Sequence, residues 1–156
     1  MVLRRSLLLA AVLALVAAPP AGARPSVSGI ELSNGSGRAV LALRGAVLGA
    51  VERGRVTVKV TGTQTSWRVD GYEWSRRLDS GAVVYGGQGI RFRLFRGHWR
   101  LVAQGVGINA SAAGRGTVTL RGTGTYSLGG GPDRPWPRVE QTLQLDRARV
   151  AAEARQ

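Results

Sequence analysis

The chain has 156 residues, with 22 lysines and arginines against 9 acidic residues, a formal net charge of +13 and no cysteine. This length suits one domain with its own core, and the lack of cysteine excludes disulfides, thiolate catalysis and cysteine-ligated metal sites. The positive charge indicates contact with a polyanion. A GC-rich genome is the alternative explanation for the arginines, since Lys59 is the single lysine.

Residues 1–23 have the pattern of a secretory signal peptide. Arg4 and Arg5 precede an apolar run over 7–18, and Ala21-Gly22-Ala23 matches the A-x-A cleavage pattern. The run is shorter than the roughly 20 residues that a bilayer requires, which disfavours a transmembrane anchor. We expect cleavage after Ala23, no transmembrane segment afterwards, and a secreted, periplasmic or cell-surface location. Because two of the 22 basic residues leave with the peptide, the net charge falls from +13 to +11.

Apolar and polar residues alternate along most of the chain that follows. The alternation is clearest over 55–60, 90–95 and 117–121, and it predicts half-buried strands. No stretch between 24 and 145 keeps a helical period, so we expect one all-β domain over 24–145. The tail over 146–156 is either a short helix capped by Asp146 or a frayed terminus.

The stretch WRVDGYEW, residues 67–74, predicts a hairpin. Asp70-Gly71 is a strong signal for a type I′ turn. Counting outward from that turn places Trp67 opposite Trp74 on one face and Arg68 opposite Glu73 on the other. Cross-strand pairs of these kinds stabilise a sheet.

A second hairpin is predicted around Arg96-Gly97. In that register Leu94 faces Trp99 on the apolar side, and Arg93 faces Arg100 on the basic side. Facing like charges are destabilising unless they are solvated or hold an anion between them. The predicted basic cluster consists of Arg91, Arg93 and Arg100.

The chain also resembles itself. Residues 53–63 recur as residues 115–125, with seven of eleven positions identical at an offset of 62, and an offset of 60 aligns glycines further upstream. We expect two repeats, about 29–78 and 89–140, each of about four antiparallel strands. The predicted fold is therefore a single all-β sandwich or barrel-like domain built from two similar tandem halves. Chance similarity in a Gly/Thr/Val/Arg-rich chain is the alternative.

Catalytic motifs are missing from the sequence. His98 is the single histidine, and there is no nucleophile elbow, metal-ligand spacing or phosphate-binding loop. We expect no cofactor and no metal. Three carboxylates near aromatic residues, Asp70, Glu73 and Asp79, leave a glycosidase-like enzyme as the least favoured alternative.

Binding is the favoured class of function. Aromatic rings can stack on sugars and arginines can hold acidic groups. We expect an exported, non-enzymatic domain that binds an anionic cell-envelope or extracellular polymer such as an acidic polysaccharide, without a specific nucleic-acid motif. The alternative is a structural, self-assembling surface protein. Trp67 and Trp99 are expected in the core, and the candidate ligand-binding residues are Arg91, Arg93, Arg100, Trp74, Trp136 and Tyr72.

Overall fold

A computed structural model describes residues 29–145, so the predicted signal peptide and the tail over 146–156 lie outside the described residues. Strands make up 79% of the described residues and none is helical, which confirms the all-β prediction. No helix able to cross a membrane occurs between residues 29 and 145. The seven strands are β1 (Gly29–Thr61), β2 (Ser66–Asp70), β3 (Trp74–Arg77), β4 (Val83–Phe95), β5 (His98–Leu128), β6 (Arg134–Pro135) and β7 (Gln141–Leu145).

The strands follow the alternation seen in the sequence. The segments predicted over 55–60, 90–95 and 117–121 fall within β1, β4 and β5. In β1, for example, Val56 and Val58 are buried while Arg55 and Lys59 are exposed. Because successive side chains point to opposite faces of a sheet, each long strand gives one face to the core and the other to solvent.

All seven strands belong to one antiparallel sheet, in the order β2–β4–β1–β5–β6. β2 and β3 both pair with β4, β2 along residues 91–95 and β3 along residues 83–86. β7 pairs with β5. Within the part of the chain that the structure describes, no pairing joins the edge formed by β2 and β3 to the edge formed by β6 and β7. The sheet is therefore open.

The register shows that this sheet is coiled. Ala103 of β5 pairs with Ala39 on one side and with Val56, 17 residues later in the same strand, on the other. Seventeen extended residues would span about 56 Å, yet two strand spacings separate Ala39 from Val56 by only about 10 Å. β1 must therefore complete a full circuit within 17 residues. β5 does the same, since Ala39 lies between Ala103 and Leu120.

A row of glycines marks one place where the coil turns. Across five neighbouring strand segments the row consists of Gly87, Gly54, Gly105, Gly37 and Gly122. Their φ angles lie between 138° and 150°, a region that favours glycine. A Cβ on Gly105 would overlap the carbonyl oxygen of Arg53. The backbones approach too closely here for any side chain.

A second turn, where Gly45 pairs with Gly114, divides each circuit into two similar parts. We call them the front wall and the back wall. The front wall consists of residues 38–44 and 55–61 of β1 and 98–104 and 115–121 of β5, with β3, β7 and the start of β4. The back wall consists of residues 29–36 and 46–53 of β1, 88–95 of β4 and 106–113 of β5, with β2.

The core lies inside the coil and draws on both walls. Leu41 and Leu101 of the front wall and Ile90 and Ile108 of the back wall are almost completely buried in a single hydrophobic cluster. Trp99 also points inward, as predicted, and its Nε1 donates to the carbonyl oxygen of Gly45 at 3.0 Å. Burial of this apolar surface is the main term that stabilises the fold.

The hairpin predicted at Asp70-Gly71 is wrong. β2 and β3 do not pair with each other, because Trp67 pairs with Leu94 and Trp74 with Gly86, both on β4. A type I′ turn needs positive φ at both central residues, and of the two only Gly71 has it. The dipeptide is instead a corner where the edge of the sheet passes from the back wall to the front wall. β4 pairs with five residues of β2 and with four residues of β3.

The second predicted turn is present, but it joins strands that do not pair. Arg96 and Gly97 both have positive φ, 64° and 76°. A segment of β1 lies between β4 and the later part of β5, because Val47 pairs with Leu94 on one side and with Ala112 on the other. The expected pairings of Leu94 with Trp99 and of Arg93 with Arg100 are therefore wrong. The turn is another corner, and β4 and β5 follow each other along the same edge of β1.

Replacing a glycine of the row tests the close approach of the backbones. We expect Gly105→Ala to lower the free energy of unfolding by about 3 kcal/mol or more, through backbone strain and overlap together. Gly62→Ala is the matched control, because Gly62 has φ of 100° but nothing within 4 Å of an added Cβ. It should lose only about 1 kcal/mol from strain. Urea unfolding measures both, and equal losses would contradict the coil geometry.

Candidate functional site

The outward side of the front wall is strongly basic. Its four central segments each carry basic residues at alternate positions, and alternate residues of a strand share a side. All of these side chains are exposed. We call this surface the cationic face, and it consists of Arg38, Arg44, Arg55, Lys59, His98, Arg100, Arg115 and Arg121.

Like charges face each other directly on this surface. The three cross-strand pairs are Arg44 with Arg115, Arg38 with Arg121, and Lys59 with Arg100. Directly opposed like charges destabilise a sheet, by roughly the 0.2–1 kcal/mol that opposite charges would contribute. The cationic face therefore carries an electrostatic cost that a bound anion would remove.

No acidic side chain offsets this charge from within the surface. The other outward positions of the four segments hold only threonine, valine, alanine and glutamine. Arg55 donates from Nε to Oε1 of Gln104 at 2.8 Å, which leaves its charge in place. Among residues 29–145 one ion pair is present, between Arg68 Nε and Asp70 Oδ1 at 2.7 Å, and it lies on β2, outside the cationic face. The positive charge of the cationic face is not neutralised by the described part of the chain.

The cationic face is large enough for several charged groups of a ligand at once. It spans four strand segments, from β5 through β1 and β5 to β1 again. At the spacings of a β-sheet it is about 14 Å across the strands and about 20 Å along them. A single small anion would cover only part of it.

One end of the cationic face forms a depression of about 330 Å³. Arg44 pairs with Arg115 on one neighbouring segment and with His98 on the other, and His98 pairs with Thr61 beyond it. Arg100 follows His98 by two residues on the same side. Side chains from four adjacent segments thus line one concave surface.

Trp74 borders the opposite end of the cationic face. It pairs with Gly86, which in turn pairs with Arg55. The indole covers Gly86, where a Cβ would overlap the ring, and it is 50% exposed. An open aromatic surface therefore lies beside the arginines.

Arg91 and Arg93 do not join Arg100. They lie on the outward side of the back wall, where Arg91 pairs with Asp70 across the strands. Glu31 is exposed on the same side. The predicted cluster of three arginines is split between two sides of the coil, and its back-wall members stand among acidic residues. They line a second depression, of about 320 Å³, together with Asp70.

Tyr72 belongs to a separate aromatic group at the edge of the sheet. Its ring is 4.8 Å from that of Tyr85, and Trp67 meets Tyr85 edge-on at 6.1 Å. Burial raises the pKa of the Tyr85 phenol, and the nearby Tyr72 adds to this effect while Arg77 opposes it. Tyr72 and Trp67 are 43% and 36% exposed, so the prediction that Trp67 lies in the core is wrong.

Trp136 is part of the core and does not face solvent. Only 3% of it is exposed, and its Nε1 donates to the carbonyl oxygen of Thr125 at 2.9 Å. Its ring lies against Gly35, where no side chain would fit. A ligand contact would need an exposed ring, which Trp136 does not have. The ring belongs to the hydrophobic core cluster, and Pro135 and Pro137 flank it in the chain.

Two of the three carboxylates considered for an enzyme, Asp70 and Glu73, make structural contacts. Asp70 accepts from Arg68, which was predicted to pair with Glu73. The Glu73 side chain packs against Gly87, and its backbone N–H donates to the carbonyl oxygen of Gly86 at 2.9 Å. Within residues 29–145 no group of three His, Cys, Asp or Glu side chains could hold a metal ion. What the cationic face offers chemically is hydrogen-bond donation to anions.

Most of the cationic face was missed from the sequence, although a signal for it exists. In the repeated segments the basic residues alternate with buried ones, as Arg55 and Lys59 do with Val56 and Val58. Alternation places them outward but does not say on which wall. The residues missed are Arg38, Arg44, Arg55, Lys59, His98, Arg115 and Arg121.

Reversing one charge tests the cost of the facing like charges. We expect Lys59→Glu to raise the free energy of unfolding by up to about 1 kcal/mol, because repulsion by Arg100 becomes attraction. Lys59→Gln should give a smaller gain, since it only removes the repulsion. Urea unfolding at low and high salt checks both, and the gain should shrink as salt screens the charges. A loss of stability in Lys59→Glu at low salt would contradict the assigned register.

Comparison of the chain with protein-family models, curated proteins and solved structures finds no match. The geometry and charge of the described surface are therefore the basis for assigning a function.

Proposed function

We propose that this protein is an exported, non-enzymatic β-domain that binds an anionic polymer of the cell envelope or extracellular space through the cationic face. The observation that carries the proposal is the set of three facing like-charge pairs on four neighbouring strand segments whose outward positions hold no acidic residue. A polyanion would remove the repulsion and gain charge-assisted hydrogen bonds at the same time.

The chemistry of arginine supports an oxyanion-bearing ligand. Six of the eight residues of the cationic face are arginines. A planar guanidinium can donate two parallel hydrogen bonds to a carboxylate, sulfate or phosphate, whereas an ammonium acts as a point charge. A polymer that reaches along the roughly 20 Å of the face would form several such contacts and release several counterions.

The position of Trp74 supports a polysaccharide. Its exposed indole lies over Gly86, next to Arg55, so a sugar ring stacked there would hold its acidic group close to a guanidinium. Aromatic side chains combine a large apolar surface with a defined orientation, which suits stacking. The predicted signal peptide supports a ligand outside the cytoplasm.

Self-assembly is the weaker alternative. The edge formed by β2 and β3 is one place where another chain could add, but these strands have only five and four residues. Arg68, Arg76 and Arg77 lie on them, and short, charged edges oppose the addition of a further strand. Polymer binding explains the cationic face, whereas self-assembly does not.

We also propose that the sheet is a two-walled, sandwich-like structure that arose from two similar tandem halves, about 29–78 and 89–140. The turn glycines support this. The glycines with positive φ at 37, 45, 54 and 62 recur 60 residues later, at 97, 105, 114 and 122. β1 and β5 also have similar lengths, 33 and 31 residues. Equal spacing of turns is expected if both strands descend from one ancestral strand.

Binding of a model acidic polysaccharide, heparin, tests the proposal. We expect affinity to fall steeply with salt as counterions are released. The double variant Arg38→Gln/Arg100→Gln should weaken binding and reduce the slope of log affinity against log salt by about 1 to 2. Isothermal titration at several salt concentrations measures both quantities.

Arg91→Gln/Arg93→Gln is the matched control, because it removes the same charge from exposed strand positions on the back wall. It should change affinity and slope much less. Binding that ignores salt, or an equal loss in the two double variants, would contradict the assignment of the cationic face as the binding surface.

A further inference from the structure

The depression in the cationic face differs from the remainder of that surface because side chains from four neighbouring segments line one concave surface there. Arg115, Arg44, His98 and Thr61 stand side by side on four adjacent segments, each a direct cross-strand neighbour of the next. Directly opposed residues have Cβ atoms about 5 Å apart. Arg100 flanks His98 on the same side, and the whole encloses about 330 Å³.

Every polar side chain that lines this depression can donate a hydrogen bond. Each guanidinium has five N–H donors, the threonine hydroxyl has one, and the imidazole has one or two. None of the lining residues is acidic, and none of the three arginines has a carboxylate within ion-pairing distance in the described part of the chain. A concave surface lined by hydrogen-bond donors, with no carboxylate among them, fits a ligand whose polar atoms are hydrogen-bond acceptors.

We propose that this depression is a discrete site for a tetrahedral oxyanion, namely a sulfate or phosphate group. The proposal deepens the proposed function and rests on it, because the site would hold an ester group carried by the polymer. It names sulfated or phosphorylated polymers as the ligand class, in preference to polymers that carry only carboxylates.

The geometry favours a tetrahedral group over a carboxylate. A carboxylate is planar and has two acceptor oxygens, which one guanidinium can satisfy with two parallel bonds. A sulfate or phosphate ester has three free oxygens pointing in different directions. Arg115 and Arg44 lie on two adjacent segments, and His98 and Arg100 lie on the next one. One tetrahedral group above these segments could therefore accept hydrogen bonds from several of them. The facing charges of Arg44 and Arg115 are then relieved by the ligand.

Small anions allow this site to be tested separately from polymer binding. The probes are inorganic sulfate and inorganic phosphate, with acetate and chloride as comparisons at constant ionic strength, and the readouts are calorimetric binding and the thermal midpoint. Because a ligand that binds only the folded state raises stability, we expect sulfate and phosphate to raise the midpoint with saturation and acetate and chloride not to.

Two double variants then locate the effect. Arg44→Gln/Arg115→Gln removes one facing pair of β1 and β5, in the depression. Arg38→Gln/Arg121→Gln removes the equivalent pair six residues along the same ladder, outside the depression. We expect the first variant to lose affinity for sulfate about tenfold or more for each arginine that makes a charge-assisted bond. The second should keep it, and unfolding curves confirm that both variants fold.

The outcomes separate the two proposals. Equal loss of sulfate affinity in both variants, or an equal rise of the thermal midpoint in acetate and sulfate, would overturn the discrete site. This holds regardless of the result for heparin. Heparin affinity should fall in both variants, since both lie on the cationic face. If heparin affinity falls in neither while sulfate binding follows the prediction, the proposed polymer function fails. The oxyanion site would then be overturned as a subsite for a polymer group.

Discussion

Where Gly37, Gly54 and Gly105 lie side by side, three backbones approach so closely that a Cβ on any of them would overlap its neighbour. This contact lets β1 and β5 turn sharply and complete a circuit in 17 residues. The hydrophobic core is the interior of that coil, with both walls contributing to one cluster. A chain without disulfides thus closes its core by backbone contact and apolar burial alone.

The register of the same coil determines which charged residues are cross-strand neighbours. Arg44 and Arg115 are far apart in the sequence, yet the register places them directly opposite each other, with His98 on the other side of Arg44. Arg93 and Arg100 are close in sequence, yet the corner at 96–97 sends them to different walls. Seven of the 16 lysines and arginines between residues 29 and 145 therefore gather on one outward surface. Arg91 and Arg93 stand beside Asp70 on the back wall.

Local features could be predicted from the sequence, whereas long-range register could not. Alternation predicts the strands, and Arg96-Gly97 predicts a turn, at which both φ angles are positive. A dipeptide turn and a corner share the same sequence signal, so the sequence predicts a hairpin at Asp70-Gly71 although its flanks pair with β4. Likewise, alternation showed that Arg55 and Lys59 point outward, but only the circuit length shows that they share a surface with Arg38. The positions of Trp74 and Trp136 also depend on which glycine each ring covers. Trp74 covers Gly86 and stays exposed, whereas Trp136 covers Gly35 and is buried.

Like charges face each other on the front wall, and we propose that this wall contacts the ligand. Arginine-specific modification with phenylglyoxal, read by mass spectrometry with and without heparin, reports each arginine separately. We expect heparin to protect Arg38, Arg55, Arg100 and Arg121 while Arg91 and Arg93 react as before. Protection of Arg91 and Arg93 to the same degree, or protection of those two alone, would show that the front wall is not the binding surface.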